Sequence, residues 1–225
     1  MVLNQNYLEK LKEHQMYDLA KFVVAENFKY HTDGKLPLNY KKDVISIQKE
    51  ELKYYENSEV FVSKDSSGEI YGSIRVLKWN FTDVLPLQKI FGINPLLAIS
   101  QPNINEVYHI GRFAIRKDIT NLNLFKQLMI CAIAPVCQHK DNIAFAECDS
   151  KLLRVLNLMG IKTEVIGKPL NYLGSETIPV SMSYSGLIDF YNKNKHLATE
   201  ILNERIKAAY IKALSNNDNV MSLSA

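Results

Sequence analysis

The chain has 225 residues, of which 47% are hydrophobic and 23% are charged, and its formal net charge is +3. This composition is ordinary for a globular protein with a sizeable core, and it argues against a disordered or fibrous chain. Acidic and basic residues are interspersed, and no basic run carries interleaved aromatic residues, so we expect no nucleic-acid partner.

The first predicted elements are helical. Residues 7–30 predict a helix, because apolar residues recur there at three- to four-residue spacing with Glu and Lys between them. The His-Thr-Asp-Gly run at 31–34 ends this pattern, and residues 36–38 continue as a loop. Residues 44–55 fit one face of a second helix, with an ordered loop as the alternative.

A β-hairpin is predicted next. Two strand-like runs, 60–63 and 69–77, flank a turn rich in Asp, Ser and Gly. Alternation along the second run places its aliphatic side chains on a core face and Arg75 on the opposite face. There the charge of Arg75 must reach water, a partner or a ligand.

The middle of the chain begins with a loop-rich excursion over 81–104 that contains three prolines. A strand follows over 107–117 (Val-Tyr-His-Ile-Gly-Arg-Phe-Ala-Ile-Arg-Lys), and a polar turn then leads into a helix over 121–139. Because Pro135 removes a backbone donor inside that helix, we expect a kink or an early end near Ala134.

Strands and helices alternate in the last part of the chain. The helix predicted over 151–159 has a good N-terminal cap in Asp149-Ser150, and Gly160 ends it. In order, the predicted elements are a buried strand over 142–148, a helix over 151–159, strands over 162–166 and 178–182, a C-terminal helix with one apolar face from Leu187 to Ala213, and a frayed tail over 216–225.

This order of elements mixes an antiparallel hairpin with strand–helix–strand units. We therefore predict an α/β protein whose mixed sheet, α+β-like in its hairpin, carries helices on both faces.

The cysteines and the terminus bear on location. Cys131, Cys137 and Cys148 are odd in number and include no Cys-x-x-Cys pair, which argues against a disulfide framework and a zinc site. We expect buried free thiols in a reducing compartment. The first residues show no basic region followed by an apolar core, so we expect no signal peptide and a cytoplasmic protein.

Three stretches, in this order, resemble one known group of enzymes. Residues 69–77 (Glu-Ile-Tyr-Gly-Ser-Ile-Arg-Val-Leu) resemble the strand that carries Gly-x-x-Arg-Leu in acyl-homoserine-lactone synthases. Residues 107–114 resemble their hydrophobic-aromatic-Glu-x-Ser-Arg-Phe-Ala strand, and residues 148–173 resemble their Leu-Leu-Arg…Gly…Gly-x-Pro helix and strand. N-acyl amino acid synthases share the strand signature, and both groups have the GNAT fold of GCN5-related N-acyltransferases.

The resemblance implies a GNAT acyltransferase fold with a C-terminal helix. We accordingly expect one GNAT-like acyltransferase domain over 1–185, followed by a C-terminal helix and frayed tail over 186–225. No cofactor is expected to be bound permanently. The acyl donor would be the phosphopantetheine of an acyl carrier protein or acyl-coenzyme A, and the usual Gln/Arg-x-x-Gly-x-Gly/Ala coenzyme A loop is absent after Ile115, as it is in the synthases.

The chain departs from the synthase pattern in two places. His109 stands where the synthases have Glu, and Gly111 replaces their Ser. The N-terminal segment that carries an Arg, a Trp and two Asp residues in those enzymes, and helps them recognise S-adenosylmethionine, is not recognisable here. Its nearest acidic candidates are Glu50, Glu51 and Glu56. These departures argue against lactone synthesis and leave acyl transfer as the expectation.

The candidate catalytic residues are His109, Arg112 and Arg75. An imidazole can accept the proton that an ammonium nucleophile must lose, so His109 is a candidate base, with a satisfied core histidine as the alternative. Arg112 and Arg75 match family positions and would orient a carboxylate or pair with an acid, with a structural ion pair bridging neighbouring strands as the alternative. Strict alternation puts His109 and Arg112 on opposite faces, so we predict a β-bulge at Gly111 that brings them to one side.

A donor site is predicted where the strand turns into the following helix. The N–H groups that open a helix bind phosphate readily, although a plain helix start is the alternative. The candidate cofactor-binding residues are Phe113, Ile115, Ile119, Thr120, Asn121, Leu122 and Asn123.

The expected function is transfer of a fatty acyl group from an acyl-thioester to the amine of an amino acid or similar small molecule. The expected partners are an acyl carrier protein and the small amine, with membrane-surface contact through the lipid product. A short-chain acetyl-coenzyme A-dependent N-acetyltransferase and a non-catalytic acyl or lipid binder are the alternatives.

Overall fold

The computed structural model describes residues 7–31, 38–99, 103–172 and 175–207. Its strands form one sheet in the order β1-β2-β3-β4-β5-β8-β6, and β7 also pairs with β8. The β4–β5 pair is parallel and the other recorded pairs are antiparallel. The strands are β1 (Tyr7–Lys10), β2 (Ser58–Lys64), β3 (Ile70–Lys78), β4 (Val107–Ile115), β5 (Ile143–Asp149), β6 (Glu164–Val165), β7 (Leu170–Tyr172) and β8 (Ser175–Ser183).

α-Helices cover both faces of this sheet. Helices α4, α5 and α6 pack on one face, over a large apolar cluster that includes Ile74, Ile110 and Leu128. Helices α1, α2 and α3 cover the other face. The predicted mixed sheet with helices on both faces is confirmed. The helices are α1 (Met16–His31), α2 (Tyr40–Tyr54), α3 (Pro86–Phe91), α4 (Leu122–Ile133), α5 (Ser150–Leu158) and α6 (Tyr184–Asn194).

The predicted first helix is wrong at its N-terminal end. Residues 7–10 form the edge strand β1, which pairs with β2, and α1 begins only at Met16. Ion pairs between these strands, from Lys64 to Glu9 (2.5 Å) and from Lys10 to Glu59 (3.1 Å), stabilise a pairing that local helical spacing does not reveal. The loop predicted around 31–38 lies mostly outside the described residues.

Several local predictions are confirmed. The 44–55 segment is helical, as part of α2, and the hairpin forms as β2 and β3. Helix α4 ends at Ile133, just before Pro135. Helix α5 is capped by Asp149, whose Oδ1 accepts from the Leu152 N–H at 2.7 Å, and Gly160 follows with a φ of 85°.

Two segments contain more structure, or a different structure, than predicted. The excursion over 81–104 includes α3 and a 3₁₀ turn, Pro95–Leu97, each begun by a proline. The predicted continuous C-terminal helix is interrupted, because α6 ends at Asn194 and a 3₁₀ turn, Lys195–Ala198, follows. That turn buries Ala198 against the core, and helical turns resume over 199–207. The predicted tail lies outside the described residues.

The helices in the described part of the chain are all too short or too polar to span a bilayer.

The packing of α6 depends on a close approach to the chain that precedes β6. A Cβ at Gly186 would stand 2.6 Å from the carbonyl oxygen of Lys162, and the Lys162 N–H donates to the Gly186 carbonyl at 3.0 Å.

We expect Gly186→Ala to lower the free energy of unfolding by about 1–3 kcal/mol, the usual cost of overpacking. In an unobstructed helix the same change would stabilise by up to about 1 kcal/mol, so the two cases differ in sign. Urea unfolding measures this effect. The matched control is Lys193→Ala on the exposed side of α6, expected to shift stability by no more than about 0.5 kcal/mol. An increase in stability for Gly186→Ala would contradict the close approach.

Candidate active site

A β-bulge shapes the middle of β4. Residue Ser73 pairs with Ala114 and Arg75 pairs with Gly111, so β4 advances by one residue more than β3 between these two pairs. The extra residue lies at Arg112, which has a left-handed φ of 55°. The Ser73 hydroxyl donates to the Arg112 carbonyl at 2.7 Å and holds this conformation. The bulge predicted on this strand is therefore present, but its position was predicted wrongly, at Gly111.

The bulge resets the alternation of side chains along β4. Phe113 and Ile115 turn toward the core cluster that contains Ile110. His109 and Arg112 come to the opposite side, where both contact the same network of charged groups. The predicted consequence of the bulge is therefore confirmed.

Gly111 has a different role, which is to let two side chains approach each other. A Cβ at this position would stand 3.1 Å from His109 Cε1 and 3.3 Å from Arg75 Nη2. Its backbone does not take a left-handed conformation. A larger residue here would therefore crowd the imidazole and the guanidinium.

A buried carboxylate from α2 joins the two arginines. Glu51 Oε1 accepts from Arg75 Nη1 at 2.5 Å and from Arg112 Nε at 2.7 Å. Its neighbour Glu50 accepts from Arg112 Nη2 at 2.7 Å and from Lys89 Nζ at 3.2 Å. Glu51 and Arg75 are completely buried, and the Arg75 guanidinium lies 5.5 Å from the Tyr54 ring centroid.

The electrostatics of the network favour its charged form. Burial alone would raise the pKa of Glu50, but Arg112, Arg75 and Lys89 outweigh it and hold that pKa below its usual value. Burial alone would lower the pKa of Arg112, but the Glu51 and Glu50 carboxylates raise it above its usual value. For Glu50 and Arg112, the attraction of the oppositely charged partners therefore outweighs the cost of removing each group from water.

His109 connects this network to β5. Its Nδ1 lies 3.0 Å from Arg75 Nη2, and its Nε2 lies 2.8 Å from Glu147 Oε2. The imidazole is 1% exposed, whereas the Glu147 side chain is 10% exposed. A guanidinium can only donate, so Nδ1 accepts and the ring proton on Nε2 is donated to Glu147.

Strands β4 and β5 diverge just beyond this point. Their pairing stops at Ile110 and Ala146, and a cavity of about 630 Å³ opens between them. The charged cluster contributes Glu50, Arg75, Lys89, His109, Arg112 and Glu147 to its lining. Its walls include apolar side chains from β4, α4 and α5, namely Phe113, Phe125, Met129, Leu152, Val155 and Leu156.

Cys148 also lines the cavity but is not a thiolate nucleophile. Burial raises the pKa of its thiol to about 12, and Asp149 and Glu147 add to this effect. The thiol is therefore protonated at neutral pH, whereas a cysteine that acts as a nucleophile must be ionised.

The predicted donor residues mostly line the same cavity. Phe113, Ile115, Ile119, Thr120, Asn121 and Leu122 do so. Asn123 does not belong to the lining, and its N–H donates to the Asn121 side chain at 2.9 Å. The Ile119 N–H donates to the Arg116 carbonyl at 2.9 Å. Within the described ranges, the N–H groups of Thr120, Asn121 and Leu122 have no recorded protein acceptor.

A carboxylate from α1 occupies the start of this turn. Glu26 is 2% exposed and also lines the cavity. Its Oε2 accepts from the Lys117 N–H at 3.0 Å, and its Oε1 accepts from Lys29 Nζ at 2.7 Å. The Lys117 N–H therefore already donates to a protein carboxylate and is not available to an anion bound at this turn.

Sequence reasoning missed several members of the site. Glu50 and Glu51 were named only as the nearest acids, whereas Glu56 is exposed and lies outside the network. Glu147 was assigned to a buried strand without a role. The sequence did contain a sign of its role, because an acidic residue within an apolar strand needs a polar partner in the interior.

No protein-family model and no curated protein matches this chain. Solved structures do match it. FeeM, an N-acyl amino acid synthase from uncultured soil microbes, is 13% identical with a TM-score of 0.57, and the match covers 88% of this chain and 98% of that chain. LasI, an acyl-homoserine-lactone synthase, is 12% identical with a TM-score of 0.51, over 84% of this chain and 96% of that chain.

An acetyltransferase of the GNAT family from Staphylococcus aureus Mu50 is 11% identical with a TM-score of 0.51, over 79% of this chain and 98% of that chain. At these identities the likeness concerns the fold. The predicted fold is confirmed, because the chain has the GNAT acyltransferase architecture and resembles synthases of the two predicted groups.

We expect Glu51→Gln to lower the free energy of unfolding by about 3–5 kcal/mol, because it leaves the buried Arg75 charge without its carboxylate. Urea unfolding monitored by circular dichroism measures this loss. The matched control is Glu50→Gln, whose side chain is 21% exposed and whose loss we expect to cost about 1 kcal/mol or less. Equal effects of the two substitutions would contradict the central role of Glu51.

Proposed function

We propose that this protein is an N-acyltransferase that moves a fatty acyl group from an acyl-thioester to the amine of an amino acid or similar small molecule. The observation that carries the proposal is a single cavity that joins a cluster of charged groups to an apolar slot between two diverging strands. An acyl chain needs the slot, and a polar acceptor needs the cluster.

The size of the cavity that contains the slot supports a long acyl chain. The cavity volume of about 630 Å³ is far larger than an acetyl group, and aromatic and aliphatic side chains form much of its wall. A fatty chain buried there would gain about 0.8 kcal/mol for each methylene removed from water. This favours a long-chain donor over acetyl-coenzyme A.

The charged end supports an acceptor that carries a carboxylate. Arg112 donates to both glutamates through Nε and Nη2, but its Nη1 has no recorded acceptor in the described part of the chain. Arg75 also lines the cavity, but its Nε, which has no partner in the described ranges, is completely buried, so Arg112 Nη1 is the donor that a ligand could reach. Guanidinium donors of this kind orient a carboxylate, so we assign the acid group of an amino acid to this end.

The reaction forms a C–N bond and breaks the thioester C–S bond, with the thiol as leaving group. Negative charge develops on the carbonyl oxygen as the amine attacks, and positioned N–H groups stabilise it. Backbone N–H groups at the Arg112 bulge, beyond the end of the β4–β5 ladder, are our candidates for this role. His109 lies beside them, at the junction of the charged cluster and the slot.

For the donor we propose phosphopantetheine on an acyl carrier protein, which would be the macromolecular partner. The N–H groups of Thr120, Asn121 and Leu122 would hold one phosphate. The neighbouring Lys117 N–H is occupied by Glu26, whose negative charge disfavours the diphosphate of coenzyme A. We also expect the protein to contact a membrane surface through its lipid product.

Glu26→Gln tests this choice of donor. Wild type should prefer acyl-phosphopantetheine to acyl-coenzyme A with the same acyl chain. The substitution removes the charge and retains an oxygen for the Lys117 N–H, so we expect kcat/KM for acyl-coenzyme A to rise about tenfold relative to acyl-phosphopantetheine, equivalent to about 1.4 kcal/mol. Asp18→Asn, which removes a charge from the exposed side of the same helix, is the control. An unchanged ratio would contradict the assignment.

Thiol release with acyl carrier protein and coenzyme A donors of different chain length, against a panel of amines, tests the proposed function. We expect release with a long-chain donor and an amino acid, and a new N-acylated species in lipid extracts of overproducing cells by mass spectrometry. Faster turnover of acetyl-coenzyme A than of any long-chain donor would indicate the short-chain acetyltransferase instead. Lipid retained on purification without any turnover would indicate a lipid-binding protein.

A further inference from the structure

We infer that Glu147 is the catalytic proton acceptor of this site and that His109 is the positioning residue that holds it. The inference rests on the proposed acyl transfer and assigns the proton to a group that the resemblance to known synthases does not supply. The synthase signature has its acid on the strand equivalent to β4, where this chain has His109, whereas Glu147 lies on β5.

The hydrogen bonds of His109 leave it no free lone pair. Arg75 has only donors, so the contact of 3.0 Å between its Nη2 and His109 Nδ1 makes Nδ1 the acceptor. The single ring proton is then on Nε2, which lies 2.8 Å and 3.1 Å from the two carboxylate oxygens of Glu147. Both ring nitrogens are engaged with protein groups, and the ring is almost completely buried.

The surrounding charges agree with an imidazole that carries a single proton. Three cations (Arg75, Arg112 and Lys89) and three carboxylates (Glu50, Glu51 and Glu147) form the connected cluster. An uncharged His109 leaves this cluster balanced. A second ring proton would compete with the Arg75 guanidinium for the same direction at Nδ1 and would break their hydrogen bond.

Glu147 is placed where the reaction must occur. It follows Ala146, the last residue of β5 that pairs with β4, so its carboxylate lies at the point where the two strands separate and the slot begins. It is more exposed than His109 and lines the cavity. The His109 N–H contacts both of its oxygens and so restricts its rotation.

The proton transfers balance over one turnover. The uncharged amine attacks the thioester carbonyl, and Glu147 takes a proton from the nitrogen as the C–N bond forms. The oxyanion collapses, the C–S bond breaks, and the departing thiolate receives the proton from Glu147. The products are an amide and a free thiol, and the carboxylate is regenerated.

Two isosteric substitutions distinguish the roles of these residues. Glu147→Gln retains an oxygen for the His109 N–H but cannot take up a proton, so we expect kcat to fall by about 100-fold or more with KM nearly unchanged. His109→Gln presents an oxygen to Arg75 and an N–H to Glu147, so we expect it to retain activity within about tenfold of wild type. His109→Ala should lose far more than His109→Gln, because nothing then holds the carboxylate.

The choice of nucleophile adds a readout that a purely structural role would not change. The nitrogen of hydroxylamine is much less basic than that of an amino acid and loses its proton more readily after attack, so we expect the defect of Glu147→Gln to be smaller with hydroxylamine than with an amino acid. Thermal unfolding of each variant identifies any loss that comes from folding. An inactive His109→Gln beside an active Glu147→Gln would overturn the inference and make His109 the base.

The tautomer of His109 can be measured without turnover. Nitrogen-15 NMR of protein labelled at histidine, with His109→Gln to assign the signal, should show the proton on Nε2 at neutral pH. A proton on Nδ1, or on both nitrogens, would overturn the inference. Absence of turnover in wild type with every donor would contradict the proposed function instead, and the NMR result would still decide the contact with Glu147.

Discussion

The carboxylate of Glu51 is the group on which the site depends. It enters the interior from α2 and accepts from the two arginines that the sequence places on neighbouring strands. Without it, Arg75 would be an uncompensated buried cation, and Arg112 would lose one of the two acids that fix its guanidinium. Helix α2 therefore supplies the acid that the arginines of β3 and β4 need.

Two irregularities in β4 turn this charged cluster into a site with access to a substrate. The bulge at Arg112 brings His109 and Arg112 to one side, and Gly111 lets the imidazole and the Arg75 guanidinium approach each other. Beyond Ile110 the strand leaves β5, which opens the slot and exposes backbone groups that regular pairing would have satisfied. The charged cluster and the apolar slot belong to the same cavity, so polar and apolar groups line one continuous space.

Local patterns predicted much of the fold because their causes are local. The hairpin follows from alternation and turn residues, the end of α4 from Pro135, and the start of α5 from the Asp149 cap. The prediction was wrong where a distant partner decides the structure. Residues 7–10 become a strand because β2 offers an edge, and the C-terminal helix breaks where Ala198 enters the core.

The sequence by itself determined the order of most elements, the mixed sheet, the presence of a bulge in β4 and the candidacy of His109, Arg75 and Arg112. Only the tertiary structure decided which acids these residues meet. Glu51 is 24 positions from Arg75 and 61 from Arg112, and Glu147 is 38 positions from His109. An ion pair stabilises a buried charge at contact distance whatever its separation along the chain, so periodicity and motif spacing carry no record of it.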